Sequence, residues 1–137
     1  MKKTLRELKK DYEEFITNIP DYLDKIKLIL NVEKLSFDFD EIGRVYDIYR
    51  HYFNTPETLQ LTYFELEQVL YAYFGEAFKH HQGGEWSLST TKSDEAYGSP
   101  IIINWGGEDY PWSRISPKVW KIRLEKGMLG SAKKLFG

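Results

Sequence analysis

The 137 residues are enough for one domain and too few for two independent cores. The 42% hydrophobic and 29% charged content is that of a folded globular chain and not of a disordered one. A formal net charge of −2 sets aside a dominant role on nucleic acid or on an anionic membrane surface, and the lack of cysteine excludes disulfides and thiolate chemistry.

Leu5, Leu8, Tyr12, Phe15 and Ile16 recur at helical spacing, which predicts an amphipathic helix from about Thr4 to Thr17. Asn18-Ile19-Pro20 is expected to break it, with Pro20 starting a second helix through Tyr22, Leu23, Ile26, Ile29 and Leu30. Between Asn31 and Phe39 the alternation of Leu35, Phe37 and Phe39 fits either a short strand or a loop anchored by its apolar residues. Asp38 or Asp40 caps a third helix, whose broad face carries Ile42, Val45, Tyr46, Ile48, Tyr49, Tyr52 and Phe53.

Thr62 and Glu65 form a T-x-x-E capping box at the start of a fourth helix reaching about His81. Phe64, Leu66, Val69, Leu70, Tyr73, Phe74, Ala77 and Phe78 cover so much of its circumference that it belongs at the centre of the fold. Gly83-Gly84 stops that helix. A strand through Trp86 and Leu88 then folds back towards Phe74 and Phe78, with Ser87 and Ser89 on its solvated face. The β-branched run Ile101 to Ile103 reads as a second strand, buried on both sides or packed on the central helix. Ser116-Pro117 opens a last helix that Gly127 closes, and a further helical turn is expected between Met128 and Phe136. The expectation is one α+β domain spanning 1–137: an N-terminal helical part over 1–60, a helix–hairpin–helix unit over 61–127, and a C-terminal tail over 128–137.

Catalytic motifs are scarce. Glu76 and His80 share a helix face and His81 follows, a set that would suit a metal or a shared proton. A zinc site wants three or more ligands, however, and helical histidines near a C-terminus also suit the dipole. The pairs Gly83-Gly84 and Gly106-Gly107 match no phosphate-binding fingerprint, and Ser87, Ser89, Thr90 and Thr91 lack a nucleophile elbow. No cofactor is implied. The N-terminal lysines are not followed by the apolar segment of a secretory leader, and no apolar run approaches the ~18 residues of a membrane span. A cytoplasmic protein is therefore expected.

Acidic and aromatic residues coincide in the second and third helices. Asp38, Asp40 and Glu41 stand with Asp21, Asp24, Glu33 and Asp47 beside Tyr46, Tyr49 and Tyr52, and Trp105, Tyr110 and Trp112 follow the second strand. Carboxylates beside Tyr and Trp are the make-up of a surface that meets a basic protein partner, although half-buried core aromatics on a solvated helix give the same composition.

The elements Gly75-Glu76, Gly83-Gly84-x-Trp86, Pro100 to Ile103, Pro111-Trp112 and Val119 to Gly127 resemble a family of small uncharacterised bacterial domains. Some members of that family resemble immunity proteins encoded beside secreted toxins. The resemblance spans Tyr63 to Gly127, about half the chain, and implies no catalytic residue. It implies that the N-terminal helices select the partner. Together with the composition it leads to the expectation of an immunity protein, not an enzyme, that binds and neutralises a cognate toxin of basic surface. The alternatives are a metal-binding or hydrolytic enzyme centred on Glu76, His80 and His81, and a structural or regulatory protein.

Overall fold

A computed structural model describes residues 2–106 and 113–127. The order is α1 (Leu5–Leu30), α2 (Phe39–Tyr52), a 3₁₀ turn (Pro56–Leu59), α3 (Tyr63–Gln82), β1 (Glu85–Leu88), β2 (Pro100–Ile103), β3 (Arg114–Ile115) and α4 (Pro117–Glu125). The helices pack on a small antiparallel sheet in the order β1-β2-β3, an α+β architecture. Among the described residues no helix is long and apolar enough to cross a membrane.

Caps fix most of the helix ends. Thr4 with Glu7 and Thr62 with Glu65 form capping boxes, each hydroxyl accepting from an orphan backbone N–H while the glutamate returns to the cap. Asp38 caps α2 through the N–H of Glu41, and Ser116 caps α4 ahead of Pro117.

Pro20 does not break α1. One helix continues through it to Leu30, so the expected boundary at Asn18-Ile19-Pro20 is corrected. An interior proline forfeits one backbone hydrogen bond and costs about 3 kcal/mol. Against that, Phe15, Ile19, Ile26 and Leu30 are all buried along a stripe that spans the proline, and each such side chain stabilises by about 1.5–3 kcal/mol. The stripe wins, and Pro20 itself faces solvent.

Residues 31–38 form a loop, not a strand. Leu35 is buried as an anchor, and Phe37 takes a left-handed backbone at φ 56°. α3 is the centre of the molecule. Val69, Leu70, Tyr73, Phe74 and Ala77 are each 1% exposed or less and join Ile42, Val45 and Tyr49 of α2, Ile102 of β2 and Leu124 of α4 in one core. Phe64 departs from the expected apolar circumference, at 65% exposed.

β2 is the middle strand, pairing Trp86 with Ile102 and Ile102 with Ile115, with both Ile101 and Ile102 buried. The two-residue β3 has no counterpart in the sequence expectation. Gly84, at φ 100°, makes the turn into β1; a Cβ there would come within 2.8 Å of Ile102 Cγ2 and 2.9 Å of the Ile103 carbonyl.

Trp86 folds β1 onto α3 at Gly75, beside the expected Phe74, packs against the core that holds Phe74 and Phe78, and its ring meets that of Phe15 of α1 in a T-shaped contact at 5.3 Å. Ser89 is also corrected. It lies beyond β1, is buried, and donates to Asp94 at 2.7 Å, so it is no part of a solvated strand face. Arg114 reaches both Ser89 Oγ and Asp94, tying the β1–β2 connection to β3.

Candidate functional site

The acidic turn at the start of α2 divides in two. Asp38 and Asp40 are exposed, and Asp38 is held below the usual carboxylate range by the Glu41 N–H and by Ser36. Glu41 is buried. Its carboxylate accepts from the N–H (2.8 Å) and hydroxyl (3.1 Å) of Ser36, the N–H of Phe37 (3.0 Å) and the hydroxyl of Tyr73 (2.8 Å). It is thereby the post to which the 31–38 loop is tied, and it offers nothing to a partner.

The tyrosines expected beside it also turn inward. Tyr46 is 3% and Tyr49 1% exposed. Tyr49 donates to Glu125 of α4 at 2.6 Å, and burial followed by that carboxylate pushes its hydroxyl pKa far up. Tyr46 stands edge-on to Phe74 at 5.2 Å with its buried hydroxyl lacking a hydrogen-bond partner among the described residues, and burial raises its pKa as well. Tyr52 is half-buried, edge-on to His51. Trp105 is half-buried and perpendicular to Phe78 at 5.4 Å, with its buried indole N–H unpaired among the described residues. Tyr110 and Trp112 lie outside the described residues. The acidic residues other than Glu41 remain at the surface, but Tyr46 and Tyr49, meant to accompany them, belong to the core.

Glu76, His80 and His81 do not converge. The Glu76 carboxylate accepts from the indole of Trp86 at 2.7 Å and pairs with Lys79 at 3.3 Å. His81 Nε2 lies 2.5 Å from the Phe37 carbonyl and its ring stacks on Phe39, while the His80 ring faces Phe37. Among the described residues no group of three or more His, Cys, Asp or Glu is placed to hold a metal ion.

Two features escaped the sequence reading. The first is a charged network between α3 and α4. Lys121 is buried and donates to Glu67 at 2.6 Å and to the Tyr63 hydroxyl at 3.3 Å, with Glu125 at 3.9 Å. Burial works against its charge, but Glu67 and Tyr63 outweigh that and hold the Lys121 pKa above its ordinary value. A lysine in a short helix carries no local sign that it will be buried.

The second is a groove of 370 Å³ between α1 and α3, closed at one side by Gly98, Ser99 and Pro100. Helical spacing builds both walls. Asp11, Phe15, Asn18 and Tyr22 line up along α1, and Phe64, Glu67, Gln68 and Tyr71 along α3. Phe15 and Tyr71 form the buried floor and Phe64 the exposed rim. Among the described residues the side chains of Glu14, Asn18 and Gln68 and the hydroxyls of Tyr12 and Tyr22 make no hydrogen bond or ion pair. This is where uncommitted aromatic and acidic groups meet. The available signal was the position of Phe64 in the first turn of α3, ahead of the stretch that the rest of the chain covers. No protein-family model, no curated protein and no solved structure matches this chain.

Proposed function

We propose that this protein is an immunity-type binding protein, which neutralises a cognate bacterial toxin in the cytoplasm by covering its active site or substrate entry. Its contact face is the α1–α3 groove, in place of the buried tyrosines of α2. The observation that carries the reading is Phe64, 65% exposed at the rim of that groove. Burying a phenylalanine stabilises by about 1.5–3 kcal/mol. A ring left in water beside uncommitted tyrosine, amide and carboxylate groups is the make-up of an interface centre. The resemblance of Tyr63 to Gly127 to small bacterial domains, some of which resemble immunity proteins, is in line with the same class, and the net charge of −2 suits a basic partner.

The test is co-expression with any candidate secreted toxin encoded beside this gene. The expected result is rescued growth and a complex recovered by affinity purification. Phe64→Ala is expected to weaken that complex by about 2 kcal/mol or more through faster dissociation, while the unfolding midpoint stays within experimental error. Absence of both a complex and rescue defeats the reading.

A further inference from the structure

We infer that the α1–α3 groove is a docking slot for an extended polypeptide segment bearing one cationic side chain, with Glu14 receiving the cation. This rests on the binding-protein reading above and names the chemistry that the partner must bring.

Three observations lead to it. The first is charge. The groove is lined by the carboxylates of Asp11, Glu14 and Glu67 against the single lysine Lys3. Asp11 is already paired with Lys3, and Glu67 with the buried Lys121. Glu14 makes no direct ion pair or hydrogen bond among the described residues, Lys3 acting on it only from its place beside Asp11, and it stands at the edge of an apolar floor where a charge-assisted hydrogen bond is strengthened by partial exclusion of water.

The second is the pair of amides. Asn18 on one wall and Gln68 on the other each carry a donor and an acceptor with no partner among the described residues. An amide side chain pairs with a backbone peptide group in both directions. A helix arriving in the groove has its backbone groups already satisfied along most of its length, whereas an extended segment presents its own to the walls. The third is length. From Asp11 to Tyr22 the α1 wall runs ~16 Å at ~1.5 Å per residue. That holds about five extended residues at ~3.3 Å each. Phe64 then covers an apolar side chain next to the cation.

The slot is tested on the isolated protein by NMR titration with the peptide acetyl-Gly-Leu-Arg-Leu-Gly-amide, and with the same peptide carrying Glu for Arg. The arginine peptide is expected to shift the side-chain amide signals of Asn18 and Gln68, and to bind about tenfold more tightly than the glutamate peptide. Glu14→Gln, an exposed substitution, is expected to weaken the arginine peptide about 5- to 10-fold and not to weaken the glutamate peptide, whose carboxylate it no longer repels. Equal binding of the two peptides overturns the inference. So does the absence of any shift at Asn18 and Gln68 up to ~10 mM peptide, the weak end of the millimolar scale, or an unchanged arginine affinity in Glu14→Gln. Toxin rescue with failed peptides leaves the binding-protein reading standing and removes the slot. Peptides that behave as expected without rescue keep the slot and remove the toxin.

Discussion

Gly75 and Trp86 form a lock whose energetics can be read from the geometry. Gly75 lies in the middle of α3, where glycine costs about 1 kcal/mol relative to alanine. A Cβ built there would overlap Cη2 and Cζ2 of Trp86 and approach Cζ3 to 2.9 Å. All three atoms belong to the outer ring of the indole. Gly75→Ala therefore sets a gain of about 1 kcal/mol in helix propensity against an overpacking cost of about 2–3 kcal/mol, the upper part of the usual range because two ring atoms are overlapped. The indole cannot simply slide away, because its N–H is held by Glu76 at 2.7 Å and its ring packs against Phe15. The net expectation is destabilisation by about 1–2 kcal/mol. Trp86→Phe removes the outer ring and the indole donor and should cost about 2–3 kcal/mol by itself. In that background the space beside Gly75 is open, so the same Gly75→Ala change should reverse sign and stabilise by about 0.5–1 kcal/mol. The cycle then closes on a coupling of about 1.5–3 kcal/mol, read from urea unfolding of the four proteins with matched m-values. A Gly75→Ala effect of the same sign and size in both backgrounds refutes the lock and places Trp86 elsewhere.

Other substitutions examine the corrected parts of the fold. Pro20→Ala should stabilise by about 1–3 kcal/mol, since the helix already runs through that position and only a backbone bond is missing; a drop in the urea midpoint would show that α1 bends there. Glu41→Ala should destabilise by about 2–4 kcal/mol, because it strands the Ser36, Phe37 and Tyr73 donors, whereas exposed Asp40→Ala should stay within about 0.5 kcal/mol; equal effects in thermal unfolding would place Glu41 at the surface. Asp94 has its pKa lowered by the Ser89 hydroxyl, then by the Ala96 N–H and Arg114. A depressed carboxylate contributes stability that is fully present above the ordinary aspartate value and is lost as pH falls through the lower folded value. Acid should therefore open the β1–β2 connection in the parent. Asp94→Asn should flatten that acid limb of amide-exchange protection in residues 89–99, and an unaltered limb would count against the Ser89–Asp94–Arg114 tie.

Legibility followed the range of the interaction that decides each feature. The capping boxes at Thr4 and Thr62 span three residues, and the Thr62 box, the Asp38 cap and the Ser116-Pro117 start could all be read directly from sequence. So could the central position of α3, because apolar residues around a whole circumference require cover from several directions. The continuity of α1 was not legible, since proline chemistry is local while the stripe that overrides it gains its energy from α3. Nor was the fate of the tyrosines. The partner of Tyr49 lies 76 positions away and that of Tyr73 32 positions away, and only the folded chain brings Glu125 and Glu41 to them.

Acidic residues beside tyrosines are thus ambiguous for a physical reason, and the same reason resolves them. A phenol buried against a carboxylate and a phenol waiting for a partner have the same composition. They differ in whether the hydroxyl is spent. Tyr49 and Tyr73 donate to glutamates inside the molecule, so each holds the core together and leaves nothing over for recognition. Tyr12 and Tyr22 keep their hydroxyls open along a groove whose amides and one carboxylate are equally uncommitted among the described residues. Substituting the first pair by phenylalanine should cost stability, about 1–3 kcal/mol each, and should spare recognition of a partner by the folded fraction. Substituting the second pair should do the opposite: an unfolding midpoint close to that of the parent, and weaker capture of the partner. A Tyr12→Phe, Tyr22→Phe double variant that binds as the parent does, while Tyr49→Phe loses binding without losing stability, would return the interface to α2 and overturn this division of the tyrosines.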